Sequence, residues 1–295
     1  MRFLIVSPRY HHKSEGVVVL HQMARDLRAL GYATLVIWLG SNNPKFDTFF
    51  VDNNVRSSGL EYSDLILNSF DEYDPESDIV IYPEIIPGNP LQAKRVVRYF
   101  LNRECYGYKN NKINPGAHDF ILAFHSEYVD RPDLILFKPT FDLSKIENIE
   151  FGKKRLNTFY VGKAAIDIET LDIQGAINIG KINQKVEYER TLMTAKYVLT
   201  YDPLTSVIRD AILFGAIPVI LNHRPWSAEN ILRINERTPV VDLCTGQNLY
   251  FINNYYDFLV CRKIYVDNMR MQYVAYQNNL IAFTEAVKQH FSQLN

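Results

Sequence analysis

Apolar and polar positions along this chain fall into blocks that predict strand, loop, helix, turn and strand in succession. The most regular block is residues 197–221, YVLTYDPLTSVIRDAILFGAIPVIL. Residues 197–200 form a short run rich in β-formers. Asp202-Pro203 ends it, because the residue before proline is pushed out of helical geometry. Thr205 can cap a helix and Ser206 can open its first turn. Val207, Ile208, Ala211, Ile212 and Phe214 follow at helical spacing. Gly215 closes the helix where positive φ is needed, and residues 217–221 read as a second buried strand.

The same alternation runs through the rest of the chain. Residues 3–6 read as a strand, followed by a loop and an amphipathic helix from Gly16 to about Leu30. Val19, Leu20, Met23, Ala24, Leu27 and Leu30 mark its buried face. Gly31 caps it, and residues 33–39 form the next strand. Residues 41–75 are weakly patterned, with one helix expected near 62–70. Residues 78–82 read as a strand running into Pro83-Glu84-Ile85-Ile86-Pro87-Gly88-Asn89-Pro90. Asn89 suits an N-cap and Pro90 a first helical position, so residues 91–102 are expected to be helical. Val96, Val97, Phe100 and Leu101 would face inward there, and Lys94, Arg95 and Arg98 outward.

Strands are expected at 120–124, 134–137, 158–161, 176–179 and 239–243, and helices at 186–195 and 226–234. From about residue 248 the chain is helical and rich in aromatics: Tyr255, Tyr256, Phe258, Tyr265, Tyr273, Tyr276, Phe283 and Phe291. These are expected to face a core. The fold class is α/β, with a Rossmann-like domain over 1–145, a second over 155–250, and C-terminal helices over 251–295 packing across both. The polar stretch 138–157 is the expected crossover.

Composition narrows the picture. The 295 residues are 47% hydrophobic and 22% charged, with a formal net charge of -1. That describes a globular chain with no global pull toward nucleic acid or anionic lipid. Three scattered cysteines show no metal-ligand spacing, which points to a reducing, cytoplasmic setting. The opening MRFLIVSPRY has too short an apolar run for a signal peptide, and no stretch approaches the ~18 apolar residues of a spanning helix. At most the chain would touch the inner face of a membrane. The first strand–helix unit lacks G-x-G-x-x-G, which disfavours NAD or FAD. An epimerase is disfavoured further, because no convincing cleft helix carries a Tyr-x-x-x-Lys pair.

The residues that could carry chemistry gather at predicted strand ends. A helix starting near Thr205 and Ser206 presents N–H groups beside a strand's carboxyl end, a ready seat for phosphate. Asp202 and Asp210 bracket that start. Gly162-Lys163 follows the strand at 158–161, and Gly180-Lys181 the one at 176–179. Glu84 reads either as a cap of its rigid loop or as a base or hydroxyl acceptor. His125 stands at another strand end. His11, His12 and Lys13 lie in the loop after the first strand and read as solvated.

Residues 197–221 resemble the donor-site segment of two-domain glycosyltransferases of the GT-B fold. Retaining members carry a glutamate, seven residues and a second glutamate ahead of an EAxxxGxPVV run. Asp202, Asp210-Ala211, Gly215 and Pro218-Val219 stand at those places here. Aspartate replaces glutamate twice, which leaves the subgroup and the stereochemistry open. The stretch YPEIIPGNPLQAKRVVRYFLN resembles a segment of bacterial glycosyltransferases that build surface polysaccharides, of the retaining family 4 (group 1) type.

The resemblance implies two Rossmann-like domains facing across a cleft, with C-terminal helices crossing back. It implies transfer from a nucleotide-diphosphate sugar to a glycan or lipid-linked glycan, with no metal, no further cofactor and no nucleic acid partner. Lys163 beside Gly162, together with Thr205 and Ser206, would hold the diphosphate. The Lys181 loop would meet the base, and Asp202 and Asp210 the ribose or donor sugar. Glu84 or His125 would handle the acceptor hydroxyl, with Glu84, His125 and Asp202 as the catalytic set. The alternative is a non-catalytic carbohydrate- or nucleotide-binding protein on a degenerate scaffold of the same fold.

Overall fold

The computed structural model describes residues 1–11, 14–40, 49–50, 61–104, 112–147, 149–162, 173, 175–222, 227–234, 238–244, 252 and 254–293. The chain forms two compact units. One is Met1–Thr140 together with Gln272–Asn295; the other is Phe141–Met271.

In the first unit β1 (Arg2–Ser7) leads through α1 (Glu15–Ala29) to β2 (Ala33–Leu39) and the short β3 (Phe49–Phe50). Then come β4 (Ile79–Pro83), β5 (Arg95–Phe100), β6 (Phe120–Ala123) and β7 (Leu134–Ile135). Among the described residues the sheet order is β3-β2-β1-β4-β5-β6-β7, parallel except where β3 pairs with β2. Such a sheet is covered on both faces, so its strands are apolar throughout rather than alternating. Alternate residues still go to different cores. Phe3 and Ile5 of β1 meet Val19, Leu20, Met23 and Leu27 of α1, whereas Leu4 and Val6 pack with Ile37, Val80, Tyr82 and Val96.

The second unit contains β8 (Leu156–Tyr160), β9 (Ile177–Asn178), α2 (Lys185–Thr194), β10 (Ala195–Thr200) and α3 (Ser206–Leu213). It continues with β11 (Ile217–Ile220), α4 (Ala228–Ile234) and β12 (Val241–Asp242). Its sheet runs β12-β11-β10-β8-β9, all parallel. Pro218 is tolerated inside β11 because β12 registers only with Val219 and Ile220, beyond the missing N–H. Val198, Val207, Ala211, Leu213 and Phe214 form this unit's core.

The last element is α5 (Tyr255–Ser292), one 38-residue helix in place of the several expected. Phe258 and Val266 are buried in the second unit, and Tyr276, Leu280, Phe283 and Phe291 in the first unit's core. Phe283 lies between Phe3 and Phe120, with ring centroids 6.0 Å from each. Burying such a side chain contributes roughly 1.5–3 kcal/mol.

Other expectations need correction. Residues 91–102 are not helical: a turn at residues 90–92 leads into β5. The side chain of Asn89 does accept a backbone N–H, but from Ala93, closing a loop instead of starting a helix. β-Branched Val96 and Val97 then fit between β4 and β6, with opposite faces both buried. Arg98 points inward and is 2% exposed. The helix expected near residues 62–70 is reduced to two single 3-10 turns, Ser63–Leu65 and Phe70–Glu72. Leu30 and Tyr256 face solvent rather than a core.

Candidate functional site at the strand ends

In the second unit the carboxyl ends of β8 and β10 lie side by side, with Thr200 in register with Tyr160. The Tyr201 N–H donates to the Tyr160 carbonyl at 2.9 Å, carrying the pairing one residue further. Beyond this point each strand turns sharply. The Thr200 hydroxyl donates to the Asp202 carbonyl (2.8 Å) and accepts from the Asp202 N–H (3.1 Å). Oδ1 of Asp202 accepts from the Leu204 N–H at 3.2 Å, spanning Pro203. The turn is therefore held by its own side chains, and Asp202 is 4% exposed.

Gly162 completes the turn after β8. Its φ is +58°, and an added Cβ would stand 2.5 Å from Oδ2 of Asp202 and 2.6 Å from the Tyr160 ring. Both the backbone conformation and the space demand glycine there. Burial first, and the Asp202 charge second, raise the pKa of the Tyr160 hydroxyl, and the neighbouring Thr205 hydroxyl lowers it. The neighbouring loop comes close too: a Cβ on Gly180 would lie 3.4 Å from the same ring.

Thr205 caps α3 as expected, its Oγ1 accepting from the Val207 N–H at 3.3 Å. One of the helix's opening N–H groups is thus satisfied internally. Four residues further along α3, the carboxylate of Asp210 is engaged by side chains. Nε and Nη2 of Arg209 donate to its Oδ1 at 3.0 and 2.7 Å, and the Tyr188 hydroxyl donates to its Oδ2 at 3.1 Å. Burial foremost, then the Asp210 charge, hold the Tyr188 hydroxyl protonated well above the ordinary tyrosine range.

The other end of α3 is held by basic side chains. Nζ of Lys154 donates to the Leu192 carbonyl near the end of α2 (2.8 Å) and to the Phe214 carbonyl. Nε of Arg262, on α5, donates to the Ile212 carbonyl at 2.9 Å, and its guanidinium also reaches Leu213. The Tyr255 hydroxyl donates to the Gly215 carbonyl at 2.6 Å. Burial first, and the nearby Arg262 second, bring the Lys154 pKa down to about 7. Gly215 has φ +80°, and an added Cβ would meet the Phe151 ring at 2.7 Å.

In the first unit the acidic and histidine candidates also sit at strand ends. Glu84 follows β4, and its Oε2 accepts from the Leu101 N–H, just past β5, at 3.1 Å. Its loop is pinned by Arg98. That guanidinium pairs with Asp119 (2.7 Å), donates to the carbonyls of Ile86 (3.1 Å) and Gly88, and stacks over Tyr82 at 4.8 Å. His125 follows β6, and its Nδ1 accepts from the Glu127 N–H at 3.2 Å. Its neutral ring then carries the proton on Nε2. Burial lowers its pKa, opposed by the Glu127 charge. Tyr128 lies 5.6 Å from the His125 ring; its hydroxyl is pushed up to about 12, by burial first and then by Glu84 and Glu15.

Gly162, Asp202 and Thr205 thus meet around Tyr160, and Ser206 opens the helix beside them. Asp210 is joined to this group through Tyr188, and Lys181 is exposed on the loop that borders Tyr160. Glu84 and His125 belong to the first unit. Lys163, His12 and Lys13 lie outside the described residues, and His11 is exposed. Sequence reasoning missed Tyr160, Tyr188 and Arg209. The one local signal was Tyr160, a large polar aromatic two residues before Gly162. Among the described residues no group of three or more His, Cys, Asp and Glu could hold a metal ion, and no helix is long and apolar enough to cross a membrane.

No family model and no curated protein matches the sequence. Solved structures do resemble the fold. A spinosyn forosaminyltransferase, SpnP, aligns over 97% of this chain and 98% of its own, at 11% identity and a TM-score of 0.50. An α-glucosyltransferase in complex with UDP and a 13-mer DNA covers 98% and 95%, at 12% identity and a TM-score of 0.47. The glycosyltransferase SnogD from Streptomyces nogalater covers 100% and 99%, at 10% identity and a TM-score of 0.42. Identity this low speaks only to architecture, and the first of the three carries the comparison. With two largely parallel α/β sheets in one chain and a C-terminal helix, the polypeptide has the GT-B fold.

Proposed function

We propose that this chain is a glycosyltransferase that moves a sugar from a nucleotide-diphosphate sugar to a carbohydrate acceptor in surface polysaccharide or glycan biosynthesis. One observation carries the reading. The turn built from Gly162, Asp202 and Thr205 lies at the carboxyl ends of two parallel strands, directly before the amino end of α3. Strand ends of this kind are where open α/β sheets take ligands, and a helix amino end favours an anion.

In this mechanism the leaving diphosphate is stabilised by the N–H groups of Thr205 and Ser206, the Ser206 hydroxyl and Lys163. That set supplies the positive charge without a divalent metal. Asp202 orients hydroxyls of the donor sugar or ribose, and the Gly180-Lys181 loop meets the base. On the acceptor side, a neutral His125 with its proton on Nε2 donates a hydrogen bond. The base role then falls to Glu84, whose carboxylate is oriented by the Leu101 N–H.

A second reading has its own support. Asp210 is already engaged by Arg209 and Tyr188, so most of its acceptor capacity is committed within the protein. That favours a protein that binds carbohydrate or nucleotide without turnover. A panel of UDP-, GDP- and CMP-sugars separates the readings. The transferase reading expects a raised melting temperature with one nucleotide class and release of free nucleotide over time. Stabilisation without release assigns the binding protein. No stabilisation by any nucleotide removes the transferase and the nucleotide-binding protein together.

A further inference from the structure

The buried face of α5 holds Phe258, Val266, Met269, Tyr276, Leu280, Phe283 and Val287. The opposite face is only partly polar. Tyr256, Val260, Ile264, Met271, Val274 and Ile281 are 50–74% exposed. At about 3.6 residues per turn they fall within roughly 100° of arc, an apolar stripe along the helix that Lys263, Asp267 and Asn278 interrupt. From Tyr256 to Ile281 the stripe runs about 38 Å at ~1.5 Å per residue. Monomer surfaces carry single exposed apolar residues as a matter of course, but an ordered stripe of six marks an interaction surface.

The charges along the stripe say what covers it. Asp267 and Lys263 lie within it as an ion pair at 3.0 Å, and Arg270, also 3.0 Å from Asp267, borders it. Glu285 and Asn278 continue the same face and are exposed. Carboxylates inside the apolar face disfavour an anionic lipid surface. They suit a second helix with a matching cation. In an antiparallel pairing of two identical helices, setting Asp267 of one copy against Arg270 of the other gives the same contact twice by symmetry. That register is centred between residues 268 and 269. The same centre sets Tyr256 against Ile281 and brings Ile264 alongside Val274. Apolar and charged contacts are therefore satisfied by one register.

We propose that this face of α5 is a self-association surface, covered by α5 of a second copy of the chain in antiparallel register. Size-exclusion chromatography with light scattering, run on the full chain over a concentration series, should give twice the monomer mass. Val274→Glu should give the monomer, with an unchanged circular dichroism spectrum because Val274 is two-thirds exposed. Asp267→Arg should weaken self-affinity about tenfold by placing like charges together, and the double variant D267R/R270D should restore it. A monomer at every concentration overturns the proposal, as does a dimer untouched by Val274→Glu or a double variant no better than the single. A monomer that floats with phosphatidylglycerol vesicles would assign the stripe to lipid instead.

Discussion

The two ends of α3 are built in opposite ways. Its carboxyl end is held by long side chains from distant parts of the sequence: Lys154, Arg262 and Tyr255 reach the last carbonyls of the helix and the Gly215 turn. Its amino end is lined by short neutral groups, Thr205 and Ser206, behind a turn in which Gly162 has no side chain at all. Cations at a helix's carboxyl end oppose its negative pole, whereas the positive pole here is left to a hydroxyl cap and a buried turn. One end is fixed so that the other can be offered. The buried Asp202 at the offered end is the exception, and a sugar or ribose hydroxyl is the kind of group it could meet without repulsion.

Removing the fixed end should have the largest effect. Lys154→Met leaves the Leu192 and Phe214 carbonyls without their amine donor, and should cost about 3 kcal/mol in urea unfolding. A variant as stable as the parent would show that the amine is a burden and not a fastening. The same group makes stability depend on pH in a definite sense. The Lys154 pKa falls from an unfolded 10.5 to about 7 in the fold. Between those values the unfolded chain binds the extra proton, so this contribution to stability rises with pH from about 7 to 10.5 and is at its lowest below 7. Unfolding midpoints taken across that range should climb in the parent and flatten in Lys154→Met.

At the offered end, Gly162→Ala should cost about 2 kcal/mol, from a strained positive φ and from contact with Asp202 and Tyr160. It should also weaken nucleotide binding, since Asp202 must move to admit the methyl group. Unchanged nucleotide affinity would place the donor elsewhere. The smallest effect is expected from Thr205→Ala, which removes one cap at about 1 kcal/mol by thermal unfolding.

The contrast also explains what was readable in advance. The strand–turn–helix–turn–strand unit was legible because Pro203, Thr205 and Gly215 each act on their immediate neighbours, and the cap and the glycine turn formed as the residues require. The segment after Asn89 carries signals that are ambiguous locally. An asparagine before proline closes a loop as readily as it starts a helix, and Val96, Val97, Phe100 and Leu101 fit either period. Only pairing with β4 and β6, absent from local sequence, decides for a strand. The inward turn of Arg98 is hidden for the same reason; its partner Asp119 is 21 residues away. Lys154 and Arg262 left no local trace, because the carbonyls they reach on α3 lie about fifty or sixty residues off in sequence. The engagement of Asp210 by Tyr188, from α2, was hidden likewise.

The anion seat at the start of α3 can be watched residue by residue, through the backbone amide resonances of Thr205, Ser206 and Val207 during titration with UDP, GDP or CDP. The account predicts saturable shifts at Thr205 and Ser206 with one of these diphosphates, and little change with the matching nucleoside. Shifts confined to other residues, or equal shifts with the nucleoside, would contradict it.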